Sequence, residues 1–443
     1  MTETTIPAAQ LPLPPGTAGL PLIGETPAFL RSTTAFLDER RQAHGPIFRT
    51  HLLGAPTVIL SGPEANRWIF AGEDRYLQNR WTYGIRQLLG ANCLAMLNGE
   101  AHRERRRLLM PHFSQQAMRE FVPTIAAIAR RHLDGWAAQG GDLVVFPAMQ
   151  DLVFEVAIAL IMGNEGVDRP YLSARFRTWI AGLFAVPVDM PFTTFGRALQ
   201  AGRELIAALS ALVDQRRALE QQPADILGSL LDARDAEGKP FAREVIVDEL
   251  LLLLFAGHDT TVAALANILL LLSQHPVVWQ RAAAEVRAAE LPTPLSHQAI
   301  KGLPYLSQVI HEGLRVVPPI GGAFRVTTTT TSFGGYQIPA GWSVLIAPRA
   351  THRSAPWVDA DRFDPDRWAP EHADQRPAGA FVAFGGGPRI CLGTHFAMVE
   401  MSVILTLLLR DYHWELLANQ DLTYTFLPTP KPRSGIRVSF ARR

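Results

Sequence analysis

Cysteine is almost absent from this chain: there are two in 443 residues, Cys93 and Cys391. Two cysteines make neither a disulfide framework nor an iron–sulfur ligand set, and they suit a reducing compartment. Charge is sparse as well, with 19% charged residues and a formal net charge of +1. The basic excess of a general nucleic-acid binder is therefore missing. The amino-terminal MTETTIPAAQ has neither a basic flank nor an apolar core, so no signal peptide or membrane anchor is expected and a cytoplasmic location is. The longest apolar runs lie around 250–272, where Gly257, His258, Asp259 and two threonines interrupt them. That pattern belongs to a buried helix and not to a membrane span. No glycine-rich dinucleotide fingerprint, internal repeat or low-complexity tract is visible.

What the chain does have is 48% hydrophobic residues, enough to bury a sizeable core. Residues 11–24, LPLPPGTAGLPLIG, form a proline- and glycine-rich lead that can be neither helix nor central strand. An amphipathic helix is expected near 29–44, followed by two strand-like runs, IFRTHLL and TVILSG, that read as a hairpin. From about 64 to 300 the pattern is mostly helical, with breaks at Pro111, Gly140–Gly141, Pro187–Pro191 and Pro223. After 320, short strands such as TTTTTSFGGYQIP and SVLIAP alternate with coil. The expected fold is mainly α with a smaller β region, an α+β class in one domain spanning 1–443, with 1–24 as its lead.

Chemistry concentrates in four places. The stretch FGGGPRICLG, Phe384 to Gly393, sets Cys391 just before an apolar helical run. A helix N-terminus and nearby backbone N–H groups favour the thiolate, and the glycines let the backbone turn tightly around it. The run LLLLFAGHDTTVAALANILLLL, 251–272, is apolar on all sides except at AGHDTT. Gly257 costs about 1 kcal/mol inside a helix, and Asp259 is a carboxylate in apolar surroundings, a combination kept for a partner or a task. Gly257 and Thr260 face one side, where the missing side chain opens a groove and the hydroxyl can distort the helix ladder. In NGEAHRERRRLLMPHF, 98–113, His102 and Arg106 are four apart and share a helix face. Arg103, Arg105 and Arg107 fit an acidic electron donor and a plain solvated face equally well. In HEGLRVVPPIGGAFR, Glu312 and Arg315 stand at i and i+3 of a helix that Pro318–Pro319 must stop.

These motifs resemble the cytochrome P-450 family. Phe384, Gly387, Arg389, Cys391 and Gly393 fill every fixed position of its haem signature, and Gly257, Asp259 and Thr260 match its central-helix element. The resemblance implies the cytochrome P-450 fold and a haem b cofactor, iron protoporphyrin IX, with Cys391 as the thiolate on iron. It implies cofactor contacts from His102, Arg106, Arg325, Phe384, Arg389, Gly393 and Gly257, with the propionates held by His102, Arg106, Arg325 and Arg389. It makes Asp259 and Thr260 the acid–alcohol pair that feeds protons to the dioxygen chemistry. It makes Glu312, Arg315 and Arg367 of FDPDRW a structural triad bracing the cysteine loop. Electrons must come from a ferredoxin or flavodoxin-type partner with its NAD(P)H reductase, because the chain has no redox domain of its own.

Within the family the resemblance runs closest to the retinoic-acid hydroxylases and their cyanobacterial relatives, through PPGTAGLPLIGE, GPIFRTHLLG, the Trp81 region, LLLLFAGHDTT and VPPIGGAFR. It implies a hydrophobic substrate, a retinoid or isoprenoid acid first and fatty acids or terpenes next. The substrate residues it implies are Trp81, Phe184, Ala256, Pro319, Ile320, Gly321, Pro428 and Thr429. Arg80 beside Trp81 reads either as a carboxylate contact or as a loop arginine. A haem-binding ligand carrier without turnover is the alternative function, and a partner-independent isomerase or dehydratase stands behind it. The intact Asp259–Thr260 pair argues against both.

Overall fold

The computed structural model describes residues 7–163, 166–223, 225–235 and 237–443; the first six residues, part of the stretch from which no leader is expected, lie outside these. Chain contacts separate two compact units. The first holds the stretch up to Trp81 together with His311–Cys391 and Thr425–Pro430; the second holds Thr82–Ile310, Leu392–Tyr424 and Lys431–Arg443.

A five-stranded mixed sheet organises the first unit, in the order Ile47–Leu52, Ala55–Leu60, Ser343–Ile346, Ala323–Thr327, Leu77–Asn79. The expected hairpin is there, with Phe48 opposite Ile59. Its two turn residues, Leu53 and Gly54, both take positive φ, 51° and 76°. That is the turn whose twist matches two antiparallel strands, and a leucine adopts it against its own preference. Ala55–Leu60 then runs parallel to Ser343–Ile346, Ile59 beside Leu345. Both faces of the sheet are covered. Phe29, Phe36, Phe48, Ile59 and Leu345 pack on one side, and Val58, Leu60, Ile69, Leu77 and Val344 on the other. Two-sided burial explains why TVIL and SVLI are continuous apolar runs without alternation.

Two expected elements differ in detail. The helix expected over 29–44 is two helices, Thr26–Arg31 and Thr33–His44. Ser32, at φ −156°, breaks the run, and its hydroxyl accepts from the Ala35 N–H to cap the second helix. The strand-like TTTTTSFGGYQIP is a hairpin, Thr331–Phe333 with Tyr336–Ile338, turning at Gly334 and Gly335.

The second unit is helical. Its axis is the helix Arg243–Gln274, extending the expected 251–272 run at both ends and packed against Val145–Ile161 and other helices. It is long and apolar enough to cross a membrane by length and composition, but 78% of its most apolar window is buried inside the protein. The helix Thr394–Asp411 follows the cysteine loop, and a three-stranded sheet of Asp142–Val144, Arg437–Arg442 and Tyr412–Leu416 completes the unit. The mainly α, smaller β class holds.

Candidate active site

In the first unit the cysteine loop is pressed against the short helix Pro63–Gly72. A Cβ on Gly386 would lie 2.4 Å from the Phe70 ring, and one on Gly387 would lie 2.9 Å from the Phe70 Cβ. Gly387 also has φ +62°, so neither a side chain nor an ordinary backbone conformation fits there. The Cys391 N–H donates to the Phe384 carbonyl at 2.9 Å and closes the loop, and Cys391 itself is exposed. The thiol therefore presents at the surface of its unit, three residues before the helix Thr394–Asp411 begins.

Arg325 and Arg389, two of the three arginines expected to hold the propionates, meet on a residue that no motif announced. Glu73, at the end of Pro63–Gly72, accepts from Arg325 Nε through Oε2 at 2.7 Å and from Arg389 Nε through Oε1 at 2.5 Å. The Glu73 carboxylate is 2% exposed and each arginine 8%. Burial holds the Arg389 guanidinium below its usual range, while Glu73, and Asp74 more weakly, act to keep it charged. Arg80 is half-buried and donates to Ser343 Oγ at 2.7 Å.

Behind the loop lies the brace. Arg315 grips Glu312 with two bonds of 2.8 Å, from Nε and Nη2, and both side chains are fully buried. Its remaining N–H groups donate to the carbonyls of His352, Ala360 and Arg362 at 2.7–3.0 Å. Glu312 accepts in addition from the Asp364 N–H and from Trp368 Nε1, each at 2.9 Å. Arg367 approaches Glu312 only to 3.5 Å and donates instead to the Asp359 carbonyl. The shorter bond in FDPDRW thus comes from the tryptophan beside it. A second unannounced residue completes the brace: His352 bonds the Arg315 carbonyl through Nδ1 at 3.1 Å and accepts the Val382 N–H at Nε2, 3.0 Å away. An amide can only donate, so Nε2 is bare and Nδ1 carries the proton. Burial pushes this imidazole down to about 3, which fits the neutral form.

In the second unit the helix Gly99–Leu109 buries His102 and half-buries Arg106. Arg103 is exposed and bound to Glu100, and Arg107 is exposed. Arg105 belongs to neither of its two expected faces. It pairs with fully buried Glu249 at 2.6 Å, donates to the Asn92 carbonyl, and lies 4.5 Å over the Phe241 ring. Burial raises the Glu249 carboxyl to about 7 against the pull of Arg105.

At the centre of the long helix, which runs unbroken from Arg243 to Gln274, the Thr260 hydroxyl donates to the Ala256 carbonyl at 2.7 Å, the local bond through which a threonine can bend a helix. A Cβ at Gly257 would meet nothing within 4 Å, the open groove expected beside Thr260. Asp259 is buried and has a partner the motif did not reveal. His258 Nδ1 lies 2.9 Å from its Oδ1, and His258 Nε2 lies 3.1 Å from the Gln150 carbonyl. A carbonyl only accepts, so Nε2 carries a proton, and the contact at Nδ1 needs one more shared with Asp259. The rings of Phe154 and Phe176 stand edge-on to this imidazole, at 87° and 85°, and hold it in place.

Of the expected substrate residues, the first unit carries Trp81 half-buried, Pro319 buried, Ile320 exposed, Gly321 and Pro428 half-buried and Thr429 buried. The second carries Phe184 and Ala256, both exposed.

Among the described residues no cluster of three or more His, Cys, Asp or Glu could hold a metal ion. A metal here would bring most of its own ligands. The residues fit such a group: one presented thiol to meet a soft metal, and two guanidiniums gathered on Glu73 to meet carboxylates.

Comparison with known proteins agrees. The cytochrome P450 family model matches residues 14–435. A putative cytochrome P450 120 from Synechocystis is 38% identical over 430 residues, 97% of this chain and 96% of that protein. Cytochrome P450 26A1 of Xenopus laevis is 33% identical, with 97% and 90% covered. A solved structure of retinoic acid bound cyanobacterial CYP120A1 superposes with a TM-score of 0.94 at 37% identity, over 98% of this chain and all of that one. The heme domain of cytochrome P450DA, at 24% identity and a TM-score of 0.87, shares the fold. The chain belongs to the cytochrome P450 family, the haem-thiolate monooxygenases that use dioxygen and electrons delivered by a redox partner.

Proposed function

We propose that this monooxygenase hydroxylates a retinoid or a closely related isoprenoid acid, with haem b ligated by Cys391. The observation that carries the substrate is the near full-length likeness to a structure with retinoic acid bound. The haem would supply the oxygen activation and the C–H cleavage. The protein supplies the rest. Cys391, presented by a loop that leaves no room for side chains at 386 and 387, would ligate the iron. Arg325 and Arg389 in the first unit, and His102 and Arg106 in the second, would hold the propionates. The pair Glu312–Arg315, with Arg367 at longer range, keeps the cysteine loop in one pose. Asp259 and Thr260 would hold and pass protons, the carboxyl already sharing one with His258. A ferredoxin or flavodoxin-type partner with an NAD(P)H reductase would deliver electrons, and the exposed Arg103 and Arg107 are cations suited to an acidic donor. The burial of the long helix supports a cytoplasmic location, and one catalytic domain over 1–443 fits the family match.

The test is a titration of purified ferric protein with all-trans retinoic acid, read at the Soret band. Turnover with a surrogate reductase follows, and the product is weighed. We expect a saturable blue shift and a product heavier by one oxygen atom. No shift, in protein whose reduced carbon-monoxide complex still has the thiolate-type spectrum, overturns the retinoid and turns the search to fatty acids and terpenes. A shift without NAD(P)H consumption would mean a carrier.

A further inference from the structure

Glu73 has no place in any motif, yet three features converge on it. It follows directly on the helix Pro63–Gly72, whose Phe70 is the surface against which Gly386 and Gly387 are packed. One of its oxygens takes Arg325 and the other takes Arg389, each through Nε, the inner N–H of the guanidinium. The contacts bridge 252 and 316 residues of sequence, and the carboxylate is 2% exposed. Two like charges would repel one another. A buried carboxylate between them fixes their separation, and a bond at Nε sets the direction in which each guanidinium fork points. Arg325 is held a second time, by an Nη1 bond to the Phe324 carbonyl at 3.0 Å. Arg389 sits two residues before Cys391, so the same clamp also bears on the thiol.

We propose that Glu73 is the positioning residue for the carboxylate-binding end of the cofactor site: it sets the spacing and aim of Arg325 and Arg389 and, together with Phe70, the pose of the loop that ends in Cys391. The proposal rests on the haem-thiolate reading above. It assigns Glu73 no contact with substrate or with the reacting atoms.

The experiment measures haem transfer from the ferric holoprotein to excess apomyoglobin, the ferric/ferrous potential, and the reduced carbon-monoxide spectrum. It compares wild type, Glu73→Gln, Glu73→Asp and, as a control for general destabilisation, the core variant Leu60→Ala of the same unit. Glu73→Gln should lose haem at least tenfold faster than wild type and show a more positive potential, an anion having been removed. Part of its carbon-monoxide complex should lack the thiolate-type band. Glu73→Asp keeps the charge on a side chain one methylene shorter and should fall between the two, and it carries the test if the glutamine variant does not accumulate. Leu60→Ala should melt earlier but keep haem at close to the wild-type rate. Haem loss no faster in either Glu73 variant than in wild type, or equally fast in Leu60→Ala, overturns the proposal. A wild-type protein with no thiolate-type band would instead bring down the haem-thiolate reading beneath it.

Discussion

The brace behind the cysteine loop and the centre of the long helix are both buried and both polar, and they are satisfied to opposite degrees. Glu312 and Arg315 meet each other twice and also meet three carbonyls, an amide and an indole. Asp259 leans on one histidine. Glu400, on the helix Thr394–Asp411 of the second unit, is fully buried, and among the described residues only Thr261 alongside it favours its charged form. A polar network with every group paired has one low-energy arrangement and is rigid; one with few partners keeps protons that can move. The first serves as scaffold, the second as chemistry.

The largest way to break that contrast is on the scaffold side. Arg315→Leu should strand the Glu312 charge and cost about 3–5 kcal/mol. The check is the yield of folded holoprotein together with its thermal midpoint, and a variant as stable as wild type would show the brace to be dispensable. Cys391→Ala leaves the brace whole and removes the thiol. It should fold, yet its reduced carbon-monoxide complex should lack the thiolate-type band altogether, and persistence of that band would unseat Cys391 as the ligand.

Glu400 sharpens the comparison through pH. Burial lifts its carboxyl from the ordinary 4.5 to about 8, with Thr261 alongside opposing this only in part. Between those values the unfolded chain releases the proton while the folded protein keeps it. The stability this group permits is therefore complete below pH 4.5, erodes as pH rises towards 8, and is then level. Glu400→Gln cannot titrate, so near pH 8 it should be more stable than wild type by about 3 kcal/mol, allowing for relaxation and water entry, and near pH 4 about equal. Urea unfolding at the two pH values checks this, and parallel pH profiles would refute it. The smallest structural effect is expected from Thr260→Ala: unchanged haem content and melting, with several-fold less product per NAD(P)H consumed. Unchanged coupling would take Thr260 out of proton delivery.

What could be read in the sequence follows the same line. Cys391 with its glycines, Glu312 with Arg315, His102 with Arg106, and Gly257 with Thr260 are short-range patterns, and a helix period or a loop signature carries them. The central helix is legible from its apolar run, and its charged first turns around Arg243 are not, because they carry no such run. Glu73, His352 and Trp368 were not legible, since each is a single residue whose partners lie far along the chain or in another element. His258 was legible only as an interruption, because its meaning depends on the Gln150 carbonyl of another helix. Arg105 looked like its basic neighbours until folding set it beside Glu249.

His352 carries one last consequence. Donating from one ring nitrogen and accepting at the other, it does between Arg315 and Val382 what a peptide unit does between two strands. It thereby ties the carbonyl of a helix residue to the amide of a coil segment, where the described residues form no strand. A side chain usually valued as a sensor of acidity is here a fixed rung, since its proton inventory stays the same until the medium approaches pH 3.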